Sequence, residues 1–99
     1  MIIEKIKEND IVTFKIDGKL DVVTATKLQE ELIPSINEAK TIVLDCEKLY
    51  YVSSAGLRVL LIAQKTANSK NVTLSLCNVG DCIMEVLEMT GFTTILSIV

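Results

Sequence analysis

The 99-residue sequence predicts an α/β fold built on a mixed sheet. Three observations carry that prediction. Val12, Phe14 and Ile16 alternate with Thr13, Lys15 and Asp17, the period of a half-buried strand. Ala25, Leu28, Leu32 and Ile36 then recur at helical spacing. Thr41-Ile42-Val43-Leu44 follows as a short, continuously apolar run, the mark of a central strand buried on both faces. Strands that alternate with helices imply right-handed crossovers between parallel strands.

The elements follow in order. Ile2 to Ile6 reads as an edge-like first strand, and Asn9-Asp10 is a turn signal that makes a hairpin with the strand around Phe14. This hairpin is what makes the sheet mixed. Asp17-Gly18 marks a loop, and Asp21 is the expected N-cap of the first helix. Lys27, Gln29, Glu30 and Glu31 supply that helix's polar face, and Pro34 shortens or kinks its end. A second helix is expected from Ser54 to about Ser69. Leu57, Val59, Leu60, Leu61, Ile62 and Ala63 cover most of its circumference, so it is either buried on most sides or partly reserved for a partner. Val72, Leu74 and Leu76 alternate as a further strand. Asp81 is expected to cap a third helix carrying Ile83, Val86 and Leu87, which Gly91 stops. Phe92 to Ile98 completes a β-β-α-β-α-β-α-β order in one domain spanning 1–99.

Composition narrows the function. The chain is 49% hydrophobic with four aromatic residues and no Trp, so its core is aliphatic and needs no metal or disulfide. A net charge of -3, with scattered Lys and Arg, disfavours nucleic acid and anionic membranes as partners. Cys46, Cys77 and Cys82 form no CxxC pair, and Cys46 and Cys77 read as small buried apolar residues. An odd cysteine count without a cleavable signal fits the reducing cytoplasm. No stretch approaches the roughly 20 apolar residues of a membrane span. The chain has no His, no GxGxxG and no Walker-type loop. Ser-His catalysis, a His phosphocarrier and a glycine-loop nucleotide site are therefore unsupported, and no metal is expected.

One segment stands out, Val52-Ser53-Ser54-Ala55-Gly56-Leu57-Arg58. Two hydroxyl residues lie between a strand and an apolar helix. Serine there is a routine N-cap worth about 1 kcal/mol. It is also a site where free N–H groups and the helix dipole favour an added negative charge. Phosphorylation would add about -1.5 to -2 charges without disturbing the fold, and would repel an acidic partner. Ala55-Gly56 keeps the first turn small, which suits close approach of another protein.

Gly18-Lys19-Leu20-Asp21-Val22-Val23-Thr24-Ala25 resembles the G-x-L-D-x-x-T-A pattern of the STAS family, typified by anti-sigma factor antagonists. Tyr51-Val52-Ser53-Ser54-Ala55-Gly56-Leu57 resembles its second pattern, an apolar residue followed by D-S-[STA]-G-L. Ile42-Val43-Leu44-Asp45 is similar to the family's central strand, and Gly91-Phe92 to the turn before the last strand. The resemblance covers nearly the whole chain in the right order. It implies helices packed mainly on one face of the sheet and a regulatory binding protein, not an enzyme. It further implies that Ser54 is the residue a partner serine kinase phosphorylates, with Ser53 as the alternative. Asp21 would lie beside that serine and assist binding. The partners implied are an anti-sigma factor that doubles as the kinase and a PP2C-type serine phosphatase, with ATP belonging to the kinase, so that this chain carries no cofactor of its own. In two respects the chain departs from the pattern. Ser53 stands where the family usually has aspartate, and many members continue into a C-terminal helix beyond the position of Val99.

The expected partner surface comprises Asp21, Ser53, Ala55, Gly56, Leu57, Arg58, Leu61 and Ile62, presented by a monomer. Arg58, Lys65 and Ser69 share one helical face with Leu61 and Ile62 alongside. That grouping suits a reversible interface, while Leu61 and Ile62 equally suit ordinary core.

Overall fold

The computed structural model describes residues 1–99. Two strands, β1 (Ile2–Glu8) and β2 (Ile11–Leu20), form the hairpin at Asn9-Asp10, where Asn9 takes φ 56. Asparagine tolerates that left-handed conformation better than most residues. Helix α1 (Val22–Ser35) follows, then strand β3 (Thr41–Val52), helix α2 (Ser54–Ser69), strand β4 (Thr73–Cys77) and helix α3 (Asp81–Met89). The sheet order is β1-β2-β3-β4, with β1 antiparallel to β2 and the other pairs parallel.

Register stacks the core. Val12 pairs with Ile42 and Phe14 with Leu44, and these pair in turn with Leu74 and Leu76. All six side chains are fully buried on one face, against Leu28 and Leu32 of α1, Leu60 and Ala63 of α2, and Leu87 of α3. The opposite face holds Glu4, Thr13, Lys15, Val43, Asp45 and Ser75, all exposed or half-buried. The apolar run at Thr41–Leu44 is thus not buried on both faces as its composition suggests. Ile42 and Leu44 point into the core and Val43 does not.

Three further expectations are corrected. The last strand is reduced to one parallel bridge between Ile98 and Leu76. Ahead of it, Phe92–Thr94 forms a short 3-10 helix, where Gly91 at φ 78 starts a turn closed by Thr94 Oγ1 on the Gly91 carbonyl. Gly91 also ends α3, as expected. Asp81 does not cap α3; Gly80 is the N-cap, and Asp81 is the first helical residue, where its charge still complements the dipole. Cys46 is buried, but Cys77 is only half-buried because it faces the open side of the sheet. Burial, with the neighbouring Cys77 and Asp45, pushes the Cys46 thiol up to about 12. Cys46 is therefore a core residue and not a nucleophile.

Candidate functional site

Parallel strands β2 and β3 end side by side, Leu20 opposite Val52, and each runs directly into a helix. The N-termini of α1 and α2 consequently emerge at one end of the sheet. The Ser53 N–H donates to the Leu20 carbonyl at 2.9 Å, fastening the two exits together.

At α1 the sequence pattern has a local cause. Asp21 Oδ1 accepts the backbone N–H of Val23 and of Thr24, each at 3.0 Å. Thr24 Oγ1 accepts the Asp21 N–H at 2.8 Å, and its one proton is shared between the Lys19 carbonyl at 2.7 Å and Asp21 Oδ1 at 3.1 Å. This is a capping box, with Thr24 in the place more often taken by Glu or Gln. The Thr24 backbone bond, aided by its hydroxyl and the Val23 N–H, holds the Asp21 carboxyl below its ordinary 3.8, against partial desolvation. A lowered carboxylate pKa adds stability above the unfolded value and loses it as pH falls through the folded one. Denaturant titrations should therefore show wild type more stable than Asp21→Asn near neutrality, with the gap shrinking below pH 3.8. A pH-independent gap would contradict this.

At α2, Ser53 is the N-cap, with φ -93 and ψ 174, and its hydroxyl accepts the Gly56 N–H at 3.3 Å. The first intrahelical bond runs from Leu57 N–H to the Ser53 carbonyl. The N–H groups of Ser54 and Ala55 precede it and have no place in the helical ladder. Ser53 is half-buried; Ser54 is exposed, and its hydroxyl takes no part in capping. The two serines are thus inequivalent: one holds the helix and the other faces outward beside free N–H groups and the dipole's positive end.

Two residues expected on the partner surface lie elsewhere. Gly56 is buried, and a Cβ there would come within 2.7 Å of Leu20 Cγ, 2.9 Å of the Leu20 carbonyl oxygen and 2.9 Å of Val52 Cγ2. Its smallness serves the seating of α2 on the sheet, not the approach of another protein. Leu57 is 9% exposed and belongs to the core, against which Ala55 also packs while half-buried. Arg58 is exposed, and Leu61 and Ile62 are half-buried outside the core cluster, so these two are not ordinary core. With Ser54 and Lys65 they occupy one side of α2. Gly56, Leu57, Val59, Leu60, Ala63, Gln64 and Ala67 occupy the other.

Local reading of the sequence missed the apolar rim. Val22 is 72% exposed and Val23 79%, both in the first turn of α1. Tyr51 is 48% exposed, opposite Lys19 at the end of β3. The available signal was adjacency: consecutive valines in a helical turn cannot both face the core. No group of three or more His, Cys, Asp or Glu side chains is arranged to hold a metal. No helix is long and apolar enough to cross a membrane.

A family model for the STAS domain matches residues 3–99. The protein BtrV of Bordetella bronchiseptica is 35% identical over 81 residues, covering 81% of this chain and 70% of that protein. The anti-sigma-B factor antagonist of Staphylococcus aureus is 28% identical over 97 residues, covering 97% and 90%. Among solved structures, unphosphorylated SpoIIAA superimposes with a TM-score of 0.84 at 16% identity, over 99% of this chain and 88% of that one. A protein from Thermotoga maritima reaches 0.88 at 18% identity, over 97% and 84%. The chain belongs to the STAS domain family, among relatives named as anti-sigma factor antagonists, which are regulatory binding proteins and not enzymes.

Proposed function

We propose that this protein is an anti-sigma factor antagonist whose binding is switched at Ser54. Unphosphorylated, it binds an anti-sigma factor that is also a serine kinase, and so frees a sigma factor. Phosphorylation of Ser54 ends that complex, and a PP2C-type phosphatase restores it. ATP is bound by the kinase; this chain contributes the acceptor hydroxyl and the docking surface. It acts in the cytoplasm as a monomer.

One observation carries the choice of residue: Ser54 is exposed at the first position of α2, while Ser53 is committed to the cap. The names of the relatives support the partner class. The helix N-terminus accommodates the added charge, so the switch works through surface electrostatics and leaves the fold intact. A second reading, a constitutive or ligand-sensing STAS module, is favoured by Ser53 standing where the family usually has aspartate.

Intact-mass spectrometry of the protein from its own cells, with and without stress, followed by fragmentation across Tyr51 to Arg58, separates the readings. A phosphate on Ser54 is expected. A phosphate on Ser53 would move the switch to the cap, and none under any condition would favour the constitutive module.

A further inference from the structure

Helix α2 is chemically unlike the rest of the molecule. The chain carries a net charge of -3, yet α2, SAGLRVLLIAQKTANS, contains no Asp or Glu and two cations, Arg58 and Lys65. Both are exposed, and the ion pairs of the molecule, Lys5–Glu38 and Lys40–Asp10, involve neither. Between them lie Leu61 and Ile62, half-buried and outside the core. Ser54, Arg58, Leu61, Ile62 and Lys65 recur at intervals of three and four, so they form one stripe along the outer side of the helix. A stripe of two aliphatic side chains bracketed by unpaired cations is complementary to an apolar patch edged with carboxylates.

We propose that this stripe docks an acidic, apolar-centred protein surface, and that a phosphate on Ser54 closes it by drawing Arg58 into an ion pair within the helix. Resting on the Ser54 reading above, this inference names both the partner's chemistry and the residue that senses the modification. Arg58 stands four residues after Ser54, and an acidic group N-terminal to a basic one at this spacing is the favourable orientation. Guanidinium matches phosphate with paired N–H donors. The modification would therefore act twice. It places negative charge at the end of the stripe, where an acidic partner is repelled. It also withdraws the nearer of the two cations that attract that partner.

Two measurements on the full chain test this without knowledge of the natural partner. The first titrates isotopically labelled protein with a synthetic helical peptide bearing adjacent leucines flanked by glutamates, and with its glutamate-to-lysine counterpart. The acidic peptide is expected to shift the amide resonances of Arg58, Leu61, Ile62 and Lys65. The double variant Arg58→Glu, Lys65→Glu should weaken it about tenfold, since steering and complementarity both reverse. Shifts centred elsewhere, equal binding of the lysine peptide, or an unaffected variant would overturn the docking assignment.

The second installs phosphoserine at position 54 by codon suppression and follows its titration by phosphorus NMR. The midpoint, about 6 for a free phosphoserine, should lie about 0.3 pH unit lower in the wild-type background than in Arg58→Gln, as a helical ion pair of this spacing implies. Equal midpoints would overturn the capture of Arg58. Both readouts survive if Ser54 proves unmodified in cells, so failure of the switch and failure of the stripe are distinguishable.

Discussion

Replacing Gly56 by valine is expected to destabilise the protein by about 3 kcal/mol, the upper part of the range for overpacking a closed site. A Cβ at this position meets Leu20 and Val52 at under 3.0 Å, and one of the three contacts is the Leu20 carbonyl oxygen, which is backbone and cannot rotate away. Valine adds two further carbons to that collision, and its branched side chain gains little in a helix. Since small domains are stable by only about 5–15 kcal/mol, such a loss is a large share of the total. Urea denaturation followed by circular dichroism measures it. A variant as stable as wild type would mean that α2 is not seated against the Leu20 exit as described.

The second large effect is on binding. Ser54→Asp places a carboxylate where the phosphate would sit. The affinity for the kinase proposed as partner is expected to fall at least about tenfold, because a like charge facing the acidic surface proposed for it costs more than about 1.4 kcal/mol. Stability should be unchanged or slightly higher, since an acidic residue in the first turn of α2 complements a helix that has none there. Calorimetric titration with the kinase and a thermal melt of the same sample check both halves. Equal binding of variant and wild type would remove the electrostatic switch.

Much of the site was legible because its causes are local. Asp21 as an N-cap, the start of α2 at Ser54 and the stop at Gly91 each depend on a few consecutive residues, and capping chemistry is written at that range. What escaped was set by contacts distant in sequence. Nothing near Gly56 announces that Leu20 lies across from it, so its smallness was open to a second meaning. The charged stretch Asp45-Cys46-Glu47-Lys48 disguised the length of β3, a 12-residue strand. The strand continues because its polar side chains face the uncovered side of the sheet. The segment Phe92–Ile98 has a strand's composition, yet the Leu96 N–H bonds to the Phe92 carbonyl and Leu96 sits in the core. Tertiary seating overrides β-propensity there. The stripe on α2 was half legible: periodicity placed Arg58, Leu61 and Ile62 together, but only the packing shows that the two aliphatic residues are left out of the core.

The bond from Ser53 N–H to the Leu20 carbonyl ties the start of α2 to the end of β2, one of the two central strands, beside the fully buried Leu20 side chain. A segment fixed in this way is expected to exchange its amide hydrogens more slowly than the chain ends and loops, which open first. The surface around Ser54 is consequently pre-organised. A partner that docks on it has little chain entropy to freeze on this side of the complex, so most of the contact energy goes into affinity and not into ordering the protein.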